Sequence, residues 1–565
     1  MGNTSARQET TEGFVPDVIE LELFRHAALS VVDEIEVNLT RTAYSPLIYE
    51  YKDYCVAILA NDFGLLAQAK GSLPIFLGDI SRPIADAVEQ IGLENLELGD
   101  AFVTNHADSA GQHLNNVIVA QPLPGPEGGI WGYMAVRAHW ADLGGLVPGS
   151  MAWASREIFH EGIQYRGIRV MRAGTLANEV LATIAANTRM PEYVVGDLMA
   201  QIAGCELGAR RWQERVLQRW DTSSKLETLV SRQWKQSEDL ARASVAKLPD
   251  GEFWASAAMD DQGVPGSPPL KITVGVRIEG DEMTVDLSKM PPQVEGPINA
   301  GAFGGGQAAI RVAFRSIVAP ERAADEGLFV PLKLNLPDGT VVSAGNGAPM
   351  GRYNTTLPTL IDLVCRALGQ EVPELVPAGH HGTMGAFFFH WRDEDGRWHQ
   401  LVDTAGGGWG AHANGDGFSP LKTMFHGDNR DIPVEIVEAE FPMRVHKYGF
   451  VADTGGPGKY RGGLGTERLI EIFDECRLEA SMERTTYPGW GMAGGESGTT
   501  GGIFVKHPGE TDWTPMNKGG ISIQSGSQVR IQSAGGGGWG RPADRNPLSV
   551  RNDLLNGYVT KTDTE

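Results

Sequence analysis

Cysteine is scarce in this chain: Cys55, Cys205, Cys365 and Cys476 are the only four in 565 residues, and they lie far apart. That spacing excludes a zinc-finger framework and gives no basis for a disulfide scaffold. Each is expected to be a small buried apolar side chain. Basic residues are outnumbered, with 48 Lys and Arg against 71 Asp and Glu and a formal net charge of −23. Nucleic-acid binding needs clustered cations to displace counterions, so that class of partner is excluded. Long apolar runs are missing as well: no stretch approaches the roughly 18 residues that span a membrane. The opening "MGNTSARQETTEG" lacks the apolar centre of a signal peptide. The expected location is cytoplasmic.

Glycine is what the chain has in excess, 72 of 565 residues or about 13%, against a usual share near 7%. The runs "AGGGGWGRP" (Gly535 to Gly538) and "AGGGWGAHA" (Gly406 to Gly408) look like phosphate loops. A Walker loop requires lysine followed by Ser or Thr before a helix, and neither run supplies them, nor does "GAFGGGQAA" at 301–309. Pro542 also removes a backbone donor beside Arg541. These glycines are expected to serve tight turns and close backbone approach, and no nucleotide site is expected in this chain.

The periodicity predicts a mixed α/β (α+β), multidomain fold. A long helix starts at Pro16-Asp17, with Leu21, Phe24, Ala28, Val31, Ile35 and Leu39 on one face. "DYCVAILAND", "DAFVTNH" and "GYMAVRAHWADLGG" read as strands ending in polar loops, and "SRPIADAVEQIG" as a helix with Pro83 at its first position. Residues from Pro191 to about Lys247 are mostly helical, and "LKITVGVRIEGDEMTVDLS" is a hairpin around "EGDE". The expected divisions are a tail at 1–15, an N-terminal α/β domain with a metal site at 16–250, a middle α+β domain at 251–370, a glycine-rich β domain at 371–545 and a terminal segment at 546–565.

Three strand-to-loop segments bring together different ligand types: Asp53 in "YKDYC"; His106, Asp108 and His113 in "NHADSAGQHLNN"; His139 and Asp142 in "AHWADLGG". Imidazole with carboxylate is the usual donor set for zinc, manganese or iron with open coordination positions. A second polar concentration contains His380, His381, His412, Asp416, His426 and Asp428 and reads as surface loops or a subunit contact. No G-x-S-x-G nucleophile motif is present.

Taken in order, "ILANDFGLLAQ", "RAHWADLGGLVPGSM", "EIFHEGI", "ANTRMPEYVVGDLMAQIAG", "HHGTMG", "TAGGGWGAHANGDG", "TGGPGKYRGGLGTER" and "SAGGGGWGRPADR" resemble the hydantoinase B/oxoprolinase family over almost the whole chain. The resemblance implies a B-type subunit of an ATP-dependent cyclic amide hydrolase acting on hydantoins, 5-oxoproline or lactams. It implies that ATP is bound by a separate A-type subunit, which phosphorylates the carbonyl oxygen, in a heterotetramer or larger complex. The related acetone and acetophenone carboxylases offer the alternative activity, with a small third subunit as its mark. By motif the resemblance carries divalent-metal ligands, zinc or manganese, onto Asp53, His113 and His139. Asn116 then stands where the family's H-L-P-D segment has aspartate. Asparagine is a neutral and weaker ligand, so weaker binding, recruitment of Asp108 or Asp142, and an empty site all stay open. Asp142, His106 and Asp108 are the candidate catalytic groups. His106 and Trp140 also replace family residues, which implies a remodelled pocket; with Trp140 and Asn116 it is compatible with an aromatic or apolar ketone.

Overall fold

The computed structural model describes residues 14–427 and 429–560. The first helix forms as its periodicity requires: α1 (Val18–Thr42) starts after Asp17, whose carboxylate accepts the Glu20 N–H at 2.7 Å. Phe24, Ala28, Val31, Ile35 and Leu39 are all buried. With α2 (Pro191–Trp212) and α3 (Ser223–Val245), α1 covers one face of a seven-stranded sheet. Among the described residues no helix is long and apolar enough to cross a membrane. One local expectation fails: Pro83 is the third residue of the helix Ser81–Ile91, not its first.

The sheet contains β1 (Tyr54–Ala60), β2 (Leu65–Gln68), β3 (Ala101–Thr104), β4 (Asn116–Pro124), β5 (Ile130–His139), β6 (Ile168–Arg172) and β7 (Thr175–Leu176). Their order is β2-β1-β5-β4-β3-β6-β7, with every pairing antiparallel. Tyr54, Val56 and Ile58 enter the core beneath the helices, while Cys55, Ala57 and Leu59 enter a second core on the opposite face. Because both faces are covered, "YCVAILA" is apolar throughout instead of alternating.

That second core also holds a four-stranded sheet, β8 (Gly251–Met259), β9 (Leu270–Glu279), β10 (Glu282–Asp286) and β11 (Leu332–Asn335), with α4 (Ala308–Val318) and α5 (Leu357–Leu368). The hairpin expected around "EGDE" is the β9–β10 turn, with Gly280 at φ 61°. In the C-terminal half, two antiparallel sheets pack face to face: Phe387, Phe389 and Leu478 from one meet Ile470, Ile503 and Val529 from the other. The alternate residue Phe388, with Val402 across the ladder, packs instead on Leu47, Tyr51 and Met151 of the N-terminal half. This contact presses the C-terminal sheet against the loops beside β1 and β5. All four cysteines are free and buried.

The glycine runs lie side by side at backbone contact. A Cβ on Gly408 would stand 2.0 Å from the Gly463 carbonyl oxygen, one on Gly536 2.0 Å from that of Trp409, and one on Gly537 1.9 Å from that of Trp490. The N–H groups of Gly535, Gly536, Gly537 and Gly538 donate to the carbonyls of Thr499, Gly463, Gly379 and Glu496. A phosphate loop needs such donors free. Here they are committed to neighbouring chain, and only Gly540 of this stretch has a left-handed φ, 71°.

Candidate metal and catalytic site

The site is built where three adjacent strands end. Asp53 immediately precedes β1, Asn116 opens β4 and His139 closes β5. Asn116 and His139 face each other directly in the antiparallel ladder, and the His139 N–H donates to the Asp53 carbonyl at 3.1 Å. Strand alternation decides which way each side chain points. Val117, Ala138 and Tyr54 go under the helices, so Asn116, His139 and Asp53 share the opposite face. His113 arrives from the loop after the short helix Ala107–Ala110 and meets His139 edge to face, ring centroids 4.8 Å apart. Four of the sequence-derived residues, Asp53, His113, Asn116 and His139, are therefore gathered in one buried place.

Their surroundings set their charge. Burial pushes His113 down to about 4, with the Arg352 and Arg137 cations acting in the same direction. His139 is held well below its ordinary range by burial and by His113. Both rings are neutral near pH 7, with lone pairs available. Neither ring nitrogen of His113, nor Nδ1 of His139, nor Oδ1 of Asn116 has a hydrogen-bond partner, although all are buried. Burial pushes Asp53 up to about 7, opposed by Arg137. Arg137, two residues before His139 on the same face, is wholly buried and pairs with Asp79 at 2.6 Å.

The other expected residues have different places. Both oxygens of Asp142 are occupied: Oδ1 accepts from the Gly149 N–H, the Ser150 hydroxyl and Arg189; Oδ2 accepts from the Gly144 and Arg189 N–H groups and the Thr188 hydroxyl. This carboxylate fastens the loop 143–150, and no lone pair is left for proton transfer. Asp108 is exposed on its short helix, apart from the buried imidazoles. His106 stands at the start of that helix, half-buried beside Asp86, with Nδ1 unpartnered. Trp140 is turned to the helix side of the sheet, where its indole N–H donates to Gln201 at 2.8 Å; it does not line the pocket. The reading of the second polar concentration as surface loops fails for His380, His381 and His426, which are buried. His412 and Asp416 are half-buried, and Asp428 lies outside the described residues.

Several participants escaped the sequence reading. Tyr353 packs its ring on His113 at 4.9 Å, and its oxygen accepts from the Asn116 amide at 3.2 Å. Gln112 accepts from the same amide at 2.7 Å and donates to the Gly304 carbonyl at 3.2 Å. Phe425 packs against Tyr353 at 5.6 Å and His426 against Phe425 at 4.8 Å, bringing part of the second concentration towards the first. Glu161, buried and pushed up to about 8 by desolvation, accepts the N–H groups of Met350 and Gly351 and so anchors the segment that carries Tyr353. Glu161 lay in the motif "EIFHEGI", Gln112 in "NHADSAGQHLNN" and His426 in the second polar concentration, whereas Tyr353 and Phe425 had no advance sign.

Two imidazoles with free nitrogens, a carboxylate and a free amide oxygen are a chemically fitting donor set for a divalent cation. Among the described residues, however, no group of three or more His, Cys, Asp or Glu side chains is arranged to hold one.

Comparison with known proteins agrees with this architecture. An uncharacterized protein of Methanocaldococcus jannaschii is 30% identical, covering 95% of this chain and 93% of its own. The caprolactamase subunit beta of Pseudomonas jessenii is 28% identical, covering 96% and 94%. The crystal structure of ATP-dependent caprolactamase from Pseudomonas jessenii superposes with a TM-score of 0.88 at 25% identity, covering 97% of this chain and 95% of that one. A nucleotide-free acetone carboxylase structure gives 0.86 at 19% identity, covering 96% and 78%, and so shares the fold. Residues 17–542 match the hydantoinase B/oxoprolinase family, and the chain belongs to that family.

Proposed function

We propose that this chain is the B-type subunit of an ATP-dependent cyclic amide hydrolase, opening a hydantoin, oxoproline or lactam ring that an A-type partner subunit has phosphorylated. The observation that carries this reading is the buried pair of neutral imidazoles, His113 and His139, with unpartnered ring nitrogens at the convergence of three strand ends. A caprolactamase subunit beta and an ATP-dependent caprolactamase structure among its relatives support it. So does the commitment of the Gly535 to Gly538 N–H groups to neighbouring carbonyls, which fits a reading in which the partner binds ATP. An amide carbonyl is a poor electrophile, and phosphorylation of its oxygen activates the carbon. An oriented water adds there and gives up a proton, the ring C–N bond breaks with its nitrogen taking a proton, and hydrolysis of the resulting acyl phosphate releases carboxylate and phosphate. His113 and His139, unprotonated and packed edge to face, serve those two proton transfers while their nitrogens are free; as ligands of a bound metal they would give up the proton-accepting role. Tyr353, held protonated far above its ordinary range by burial and the nearby Asp53 and Asp79 charges, donates to an oxygen of the substrate. Its oxygen already accepts from Asn116, which fixes the direction of its own proton.

Asp53, His113, His139 and Oδ1 of Asn116 would hold a zinc or manganese ion, which when bound supplies Lewis-acid polarisation at this place. Elemental analysis of the purified chain is expected to find zinc or manganese near one per chain, lost in Asp53→Ala; equal content in the variant would overturn that assignment. The acetone carboxylase similarity is one of fold, and Trp140, the residue that suited a ketone, is turned away. Reconstitution with the A-type partner and ATP tests the reading: ring opening of hydantoin, 5-oxoproline or a lactam is expected. Bicarbonate-dependent ATP consumption with a ketone, or inertness of an intact complex across the amide panel, would overturn it.

A further inference from the structure

Arg352 is a buried charge with few partners. Its side chain is wholly buried, lying 5.4 Å from the Trp153 ring centroid and 4.8 Å from that of Phe388. One terminal nitrogen donates to the Met151 carbonyl and approaches Glu479 at 3.5 Å. The other terminal nitrogen and Nε are buried without any acceptor. Glu479 does not neutralise it alone, since the same carboxylate is held by Arg477 at 2.6 Å. Arg477 is itself partly exposed, and the buried Glu161 carboxyl is the other acidic group acting on Arg352, so what stands out inside is the pair of unmatched donors, Nε and the second terminal nitrogen.

The neighbours repeat the pattern. Phe388 and His390 stand on the same face of the strand Ala386–Arg392, and Gln400 is paired with His390 across the ladder. Both ring nitrogens of His390, both amide atoms of Gln400 and Oδ1 of Asn354 are buried and unpartnered. Burial pushes His390 down to about 3, so its ring is neutral with one N–H to give, while Arg352, pushed down to about 10, keeps its charge. Gly149, in the loop fastened by Asp142, comes so close that a Cβ there would stand 2.5 Å from His390 Nε2 and 3.4 Å from Gln400 Nε2. The Gly149 carbonyl accepts from Asn115 at 3.3 Å, and Asn115 adjoins Asn116. On the other side, Arg352 is followed by Tyr353, whose ring packs on His113. The cluster is thus the immediate neighbour of the imidazole pair along two independent connections.

Buried donors left unmatched on Arg352, His390 and Gln400 are costly unless a guest accepts from them. We infer that Arg352, His390 and Gln400 form an enclosed oxyanion subsite beside the imidazole pair, which takes a carboxylate or phosphoryl group of the substrate. This rests on the proposed reading of the neighbouring site for its purpose, while its affinity is measured without partner or ATP, so the two can fail separately.

The test is thermal unfolding of the full-length chain titrated with inorganic phosphate and, separately, with acetate, at constant ionic strength. A ligand bound by the folded state alone raises the midpoint with concentration. A saturable rise with phosphate assigns the phosphoryl group, and a rise with acetate assigns the carboxylate. Arg352→Gln is expected to weaken the response about tenfold or more, since a charge-assisted bond is lost. Should that variant fail to fold, Gln400→Leu is expected to weaken it several-fold. A crystal grown with phosphate should show density at Nε of Arg352 larger than a water. A midpoint indifferent to both anions, an undiminished response in the folded variants, or a lone water at Nε would overturn the inference.

Discussion

Replacing Gly537 by alanine adds one methyl group, and the structure predicts severe damage. The new Cβ would sit 1.9 Å from the Trp490 carbonyl oxygen, 2.5 Å from its carbon and 2.9 Å from the Gly491 nitrogen. Relief requires separating backbone from backbone. Gly537 itself donates to the Gly379 carbonyl at 2.7 Å and accepts from the Ala411 N–H at 2.9 Å, so moving it breaks those bonds. Overpacking costs about 1–3 kcal/mol, and two lost hydrogen bonds add about 1 kcal/mol each. The expected loss is therefore about 3–5 kcal/mol, comparable with the whole stability of a marginal domain. Gly449→Ala is the control, because nothing lies within 4 Å of its Cβ position. Chemical denaturation followed by circular dichroism should show a large loss for Gly537→Ala and little change for Gly449→Ala. Equal midpoints for Gly537→Ala and wild type would refute the close-packing account. A variant that folds and assembles normally but abolishes ATP binding in the complex would restore the phosphate-loop reading.

Other predictions follow from buried carboxylates. Desolvation raises Asp197 and Glu483 each to about 7, so the folded chain binds protons that the unfolded chain releases. The sign is therefore a stability that falls as pH rises from about 4.5 to above 7, by about 1.4 kcal/mol per pH unit per group at the steepest. Asp197→Asn should flatten that slope in melts between pH 5 and 8 (about one group's worth); an unchanged slope would contradict the assignment. Asp142→Ala removes the acceptor of six hydrogen bonds and should cost several kcal/mol, about 3 or more, with faster proteolysis of the loop 143–150. If Asp142 were instead an acid or base, Asp142→Asn would fold normally and show a displaced pH–rate profile.

Much of this was legible in the chain because strand ends and turns obey local rules. Asp53, His113, Asn116 and His139 converge because each flanks a strand whose apolar run could be recognised, and antiparallel neighbours bring their ends together. The excess glycine pointed to close approach, which the stacked runs show. What stayed hidden depends on long-range packing. Tyr353 reaches His113 across 240 positions of sequence, and no local pattern reports such a contact. Asp142 looked catalytic by its neighbourhood, yet its role is set by Arg189, Thr188 and the loop it fastens. Trp140 looked like a pocket residue because it replaces a residue of the family motif beside His139, but adjacent strand residues face opposite ways. The buried His380 and His381 were misjudged as surface because glycine-rich sequence resembles loop even where it forms a packed interior.

The central claim is that ring opening takes place at the buried imidazole pair of this subunit. Its most direct test is turnover of a cyclic amide by the complex reconstituted with His139→Ala, with ATP binding by the partner measured in the same preparation. The account predicts a loss of hydrolysis of about a hundredfold or more, as expected when a positioned proton-transfer group is removed, with assembly and ATP binding retained. Hydrolysis at the wild-type rate in an assembled His139→Ala complex would contradict it.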